Sequence, residues 1–152
     1  MGAERVEVLL IRSHRWFCAL PIAHVVETFR PRPVERVAGA PAFVRGVAVV
    51  RGKTVPVVDP GVLLGGVRET PGGRFVAVRT PNGLVALEVD ETVGVRELSA
   101  SDLSAAAPLL QGALAGLVTS MAALDGELLA VLDCAHLVDG ELLDKLVTEG
   151  WA

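Results

Sequence analysis

The chain has 152 residues, 51% of them hydrophobic and 21% charged, which is apolar material for one domain or two small subdomains sharing a core. A net charge of −4, no tyrosine and only four Phe and two Trp argue against nucleic acid, which needs a basic surface and rings to stack on. No apolar run reaches the roughly 18–20 residues of a membrane span, and Met1-Gly2-Ala3-Glu4-Arg5 leads straight into a strand-like segment, so the expectation is a cytoplasmic protein with no secretory signal. Val6–Ile11 and Trp16–Leu20 are apolar runs joined by Arg12-Ser13-His14-Arg15, a first hairpin. Pro21–His24 is a short turn, and Val25–Phe29 resumes a strand with Glu27 inside it. Arg30–Pro41 holds three prolines and a glycine, so it reads as a proline-stiffened crossing loop.

Phe43–Asp59 organises what surrounds it. Val47–Val50 and Val55–Val58 are Val-rich strands folded back across Arg51-Gly52-Lys53-Thr54, which leaves Arg51 as a charge on a rigid tip between apolar flanks. Gly61–Gly66 is expected to form a short turn and Arg68–Arg74 an exposed loop. Phe75–Arg79 and Leu84–Val89 flank Asn82-Gly83, the strongest hairpin signal in the chain. Thr92–Leu98 is a further strand, and Ser99–Gly112 a small-residue connection. Ala115–Ala123 and Leu128–Leu132 make a last hairpin around Asp125-Gly126. Leu137, Val138, Leu142, Leu143, Leu146 and Val147 share one helical face, which predicts a C-terminal helix over 134–149. So many hairpins exceed one five-stranded barrel; two small barrels packed together fit better.

Charge is unevenly spread: residues 1–53 carry +5 and residues 54–152 carry −9. Such a split suits docking to partners, or weak self-association, as well as plain solvated loops. Catalytic signals are thin. Cys134 and His136 are two residues apart near Asp133, but two ligands are not four, and no base and orienting group accompany the thiol. Cys18 and Cys134 read as reduced, buried thiols. Gly65-Gly66 and Gly72-Gly73 lack the lysine of a phosphate loop. No metal and no cofactor is expected.

Pro41-Ala42-Phe43, the following strand, Arg51-Gly52 and Pro56-Val57-Val58-Asp59 resemble the signature of CheW-like chemotaxis coupling proteins. Phe17, Pro21, Ile22, Val25 and Glu27 upstream, and Val89-Asp90, Val93, Gly116, Asp125-Gly126 and Val131-Leu132-Asp133 downstream, fall in the family's order across about residues 4–145. The resemblance implies an all-β fold: two packed five-stranded SH3-like barrels sharing a core, with a C-terminal helix. It implies one domain over 1–152, the first barrel covering about 20–80 and the second about 1–19 plus 81–133. It implies a non-catalytic adaptor that bridges the cytoplasmic tip of a chemoreceptor to the regulatory domain of a chemotaxis histidine kinase, peripheral to the membrane and not inserted in it. Ile22, Val25, Glu27, Arg51, Val89 and Val93 match positions at or near the family's receptor groove. Arg51 and Glu27 could set register there, or simply pair with each other.

The chain departs from the family at Val49, where Asn is usual, at Pro60, where Leu is usual, and at Thr28, where a large aliphatic is usual. Two alternatives therefore stand beside the adaptor: a divergent member of a motility or developmental pathway that has lost one partner, and a small-ligand-binding β-barrel module.

Overall fold

In the computed structural model of the chain, residues 4–105 and 117–134 are described. The helix expected over 134–149 lies outside them but for Cys134, and so does His136.

Eleven strands among the described residues form two sheets. At the centre of the first, β1 (Arg5–Ser13) and β2 (Trp16–Pro21) make the expected hairpin, with β8 (Glu91–Ser99) antiparallel on the outside of β1. On its other side β2 runs parallel to β11 (Glu127–Leu132), which turns back into β10 (Val118–Leu124), edged by the two-residue β9 (Ser104–Ala105). The second sheet is centred on the hairpin of β6 (Arg74–Thr80) and β7 (Gly83–Val89), with β3 (Val25–Phe29) outside β6. There β7 runs parallel to β5 (Lys53–Val58), which pairs with β4 (Val44–Val50).

The two sheets repeat one plan: an edge strand, a hairpin, a parallel step and a second hairpin. The register repeats as well. The pairing of β3 with β6 skips Val26, and that of β8 with β1 skips Val93, a β-bulge at the same place in each. Glu35 bridges to Val47 on the outer edge of β4, as Ser104 pairs with Met121 on β10. Asp59 and Asp133, each just past a second-hairpin strand, donate their amides to Phe43 and Leu117 at 2.7 Å. The second sheet is built from consecutive strands over residues 25–89, and the first joins the N-terminal hairpin to strands that follow residue 90. The largest cluster mixes Leu9, Ile11 and Leu20 of one sheet with Val58, Val76, Val78 and Leu87 of the other.

The expected pair of closed SH3-like barrels is not what forms. Both sheets are open, and the first has six strands rather than five. Closure would pair the two edge strands of a sheet. Here the outer edges of β4 and β10 are met instead by Glu35 and by β9, short segments that take up the edge groups without bending the sheet round. Among the described residues the longest helix is α1 (Pro60–Leu63), where a turn was expected.

Val57 is fully buried between Gly46 of β4 and Ala86 of β7. Val57→Asp places an unpaired charge there and is expected to cost more than about 4 kcal/mol, enough to abolish cooperative thermal unfolding followed by circular dichroism.

Candidate partner-binding site

Between β4 and β5 only Arg51 and Gly52 remain outside the ladder, and their φ angles of 52° and 75° make the two-residue turn whose twist matches the flanking strands. Gly52 adopts this backbone freely, whereas an L side chain at Arg51 pays roughly 1–2 kcal/mol for it. The guanidinium is fixed in return. Its Nε donates to Glu27 Oε1 at 2.9 Å and its Nη2 to Oε2 at 2.5 Å, a two-pronged pair reaching from the tip to β3. The hydrogen bonds from Arg51 hold the Glu27 carboxyl below its ordinary range against an opposing effect of burial, and the charges of Arg51 and Arg32 add to the lowering. Arg51 remains three-quarters exposed, so the pair presents a fixed ion pair to solvent.

The other residues singled out by sequence are distributed around this pair. Ile22, in the short turn before β3, and Val25 are half-buried and pack on the main core cluster. Val89 is fully buried in that cluster and offers no surface. Val93 is exposed on β8, in the other sheet. Its counterpart in the repeat is Val26, also exposed, which sequence reasoning passed over in favour of Val25. Val49 is about half exposed two residues before Arg51. Thr28 lies within β3 opposite Val76.

The equivalent turn of the first sheet has the opposite charge. Asp125-Gly126 repeats the backbone of Arg51-Gly52, with φ of 52° and 80°. Next to it Glu127 accepts from Arg12 Nη1 at 3.0 Å and Nη2 at 2.9 Å, and Arg12 lies 4.6 Å above the Phe17 ring. Each tip is thus pinned by a two-pronged Arg–Glu pair, with the polarity reversed.

A further set of residues was missed. Asp59 is fully buried where β5 ends. Its Oδ1 accepts from the amides of Gly61 and Val62, capping α1, whose first residue Pro60 needs no amide partner. Ser13 Oγ donates to the same oxygen at 3.3 Å, and His14 Nε2 lies 3.3 Å from Oδ2, which also accepts from Arg68 Nε. Arg68, expected in an exposed loop, has a side chain only 2% exposed and donates from Nη1 to Asp90 Oδ1 at 2.9 Å. Asp90 Oδ2 takes the His14 amide at 2.6 Å. Burial alone would push the Asp90 carboxyl up, but Arg68 and the His14 amide bring it below its ordinary value. The legible signal was Asp59-Pro60-Gly61, a cap followed by proline at the first helical position.

Ser13, His14 and Asp59 are the residue types of a hydrolytic triad, but their order is wrong. Serine and histidine both attach to the aspartate, the serine is fully buried, and no bond joins ring to hydroxyl that could carry its proton. Burial pushes the thiols of Cys18 and Cys134 up to about 12, which makes them poor nucleophiles. Among the described residues no group of three or more His, Cys, Asp or Glu could hold a metal ion, and no helix is long and apolar enough to cross a membrane.

A family model described as the CheW-like domain matches residues 7–142. The crystal structure of the scaffolding protein TtCheW from Thermoanaerobacter tengcongensis superimposes with a TM-score of 0.76 at 19% identity, covering 92% of this chain and 96% of that one. No curated protein matches.

Two stability measurements follow from the buried cluster. Arg68→Ala removes the guanidinium paired with the buried Asp59 carboxylate and is expected to cost about 3–5 kcal/mol in urea unfolding. Asp90 has a depressed carboxyl in the folded chain, so its contribution is complete above the unfolded value of about 4 and is lost as pH falls through the lower folded one. In acid titration of stability, Asp90→Asn should flatten the decline below about pH 4.

Proposed function

The chain belongs to the CheW-like domain family and is a non-catalytic scaffold of chemotaxis signalling; from that premise we propose that it couples a chemoreceptor to the chemotaxis histidine kinase. In this reading it works in the cytoplasm beside the receptor array, receives the helical tip of a receptor on the side that carries Glu27 and Arg51, and binds the regulatory domain of the kinase elsewhere on its surface.

The observation that supports it best is the Glu27–Arg51 pair, a fixed, solvent-facing pair of charges with exposed Val26 and Val49 on the strands that carry it. A helical bundle offers apolar side chains with a few charges between them, and a patch of this kind supplies apolar contact and register together. Ile22 and Val25 support the strand from beneath, Val89 acts only as core, and Val93 offers an equivalent apolar contact on the other sheet. The exposed Val49, where the family usually has Asn, favours a second reading in which one of the two partners is not bound.

The test is a binding titration against a receptor-tip fragment and against the kinase regulatory domain, each at low and moderate salt. Binding to both is expected, weakened by salt. Arg51→Ala should reduce receptor-tip binding by about 1–3 kcal/mol with no change in fold by circular dichroism. Binding to a single partner would establish the second reading, and binding to neither would end both.

A further inference from the structure

Next to the Glu27–Arg51 pair, but outside it, the proline-rich loop between β3 and β4 roofs a cleft of about 210 Å³. Arg32, Arg36 and Arg45 line it, with Pro71 and Phe75 as its apolar wall and Glu88 as its single carboxylate. The charges in it do not balance. Glu88 is already shared: its Oε2 accepts from the Gly72 amide at 2.8 Å and lies 3.5 Å from Arg68 Nε, while its Oε1 lies 3.4 Å from Arg45 Nε. Arg45 Nε is enclosed yet has no hydrogen-bond acceptor. Neither Arg32 nor Arg36 has a carboxylate within ion-pair distance among the described residues; Arg32 lies over the Phe29 ring at 5.7 Å. Glu35, the acid on the same loop, lines the neighbouring hollow beside Val47–Val49, which Arg32 also lines, so Arg36 and Arg45 are the cations left to the cleft itself.

We propose that this cleft accepts an acidic side chain of a partner protein, an aspartate or glutamate whose carboxylate meets Arg36 and Arg45 and whose stem lies on Pro71 and Phe75. With Glu88 shared among Arg45, Arg68 and the Gly72 amide, Arg36 and the exposed part of the Arg45 side chain leave room for one more anion. The volume decides what kind of anion. At 210 Å³ the cleft is smaller than the roughly 300–1,000 Å³ of pockets that enclose whole cofactors or drug-sized ligands, and it suits a single side chain. The proposal rests on the adaptor reading for its partner, but the site itself can be tested without one.

The probe is glutarate, which carries a carboxylate on a glutamate-like stem, titrated into the isotope-labelled full chain at constant ionic strength, with neutral glutaramide as control. Saturable shifts of the Gly72 amide and Arg45 Nε–H are expected with glutarate alone. Affinity should fall roughly tenfold or more in Arg36→Glu and hold in Arg30→Glu, which makes the same charge change on the same loop outside the cleft. No saturable shift, or an equal loss in both variants, overturns the site. With the kinase regulatory domain and the receptor-tip fragment as second probes, Arg36→Glu should weaken one of them more than Arg30→Glu does. If glutarate binds but both variants hold both fragments equally, the cleft takes a free carboxylate and the partner assignment is overturned. If unaltered protein binds neither fragment while glutarate still binds, it is the adaptor reading that fails and not the site.

Discussion

A carboxylate with no exposed surface is among the least favourable groups a folded chain can carry, and Asp59 is such a group. It persists because donors from three separate segments converge on it: the β1–β2 turn through Ser13 and His14, the first turn of α1 through two amides, and the following loop through Arg68. The β1–β2 turn belongs to one sheet and Asp59 to the end of a strand of the other, so the network fixes how the sheets meet. Asp90 closes the ring by taking both the His14 amide and Arg68. Apolar side chains of equal volume could stabilise as much or more. What they could not supply is direction: the hydrogen bonds are satisfied in one relative placement of the two sheets. The packing is tight enough that a Cβ on Gly61 would lie 2.0 Å from the His14 ring and 2.6 Å from Ser13 Oγ, so a larger residue there would displace the side chains that hold Asp59.

Fixing the sheets matters because they are near copies. A repeated frame with the same bulges, edge bridges and turn backbones would present two equivalent faces if its surface residues were also repeated. They are not. Where one second-hairpin turn holds Arg51 and Lys53, the other holds Asp125 and Glu127; Arg51 pairs with Glu27 of edge strand β3, and Asp125 lies 3.7 Å from Arg96 of edge strand β8. The +5 and −9 halves of the sequence are therefore more than loop decoration: part of that asymmetry falls on equivalent positions of a duplicated scaffold. Two faces of one architecture and opposite sign let a small protein distinguish two partners without two folds.

The hairpins were legible because each rests on local chemistry: Asn82-Gly83, Asp125-Gly126 and Arg51-Gly52 announce turns whose flanking strands pair with each other. The parallel contacts of β2 with β11 and β5 with β7 join segments far apart in sequence and leave no local trace. Barrel closure was misjudged for the same reason, since it depends on what meets the outer edges of β4 and β10, and in one case that is the single residue Glu35. Arg68 sits in a stretch of Glu, Thr, Pro and Gly whose composition reads as exposed; its burial is set by Asp59 and Asp90, nine and twenty-two residues on either side. Of the site residues, Glu27 and Arg51 were recognisable as opposite charges that could meet, and they do. Val89 misled because β7 is covered on both faces, with Glu88 as buried as its neighbours, so alternation no longer tells surface from core.

The Arg51 geometry also bears on how the surface can bind. A free arginine on a hairpin tip would have to be ordered on binding, at a cost that subtracts from affinity. Here that ordering is paid in the fold, through an unfavourable backbone at Arg51 held against a two-pronged bond to Glu27. A partner that offered a carboxylate to Arg51 would compete with Glu27, and one that offered a cation to Glu27 would compete with Arg51; either exchange returns little net energy in water. The favourable partner leaves the pair intact, adds an acceptor to the guanidinium group not directed at Glu27, and covers the exposed valines beside it. On a docking face of this kind affinity would come from apolar area and register from charge, which is the division of labour an adaptor needs when its partners must be held in place without chemistry.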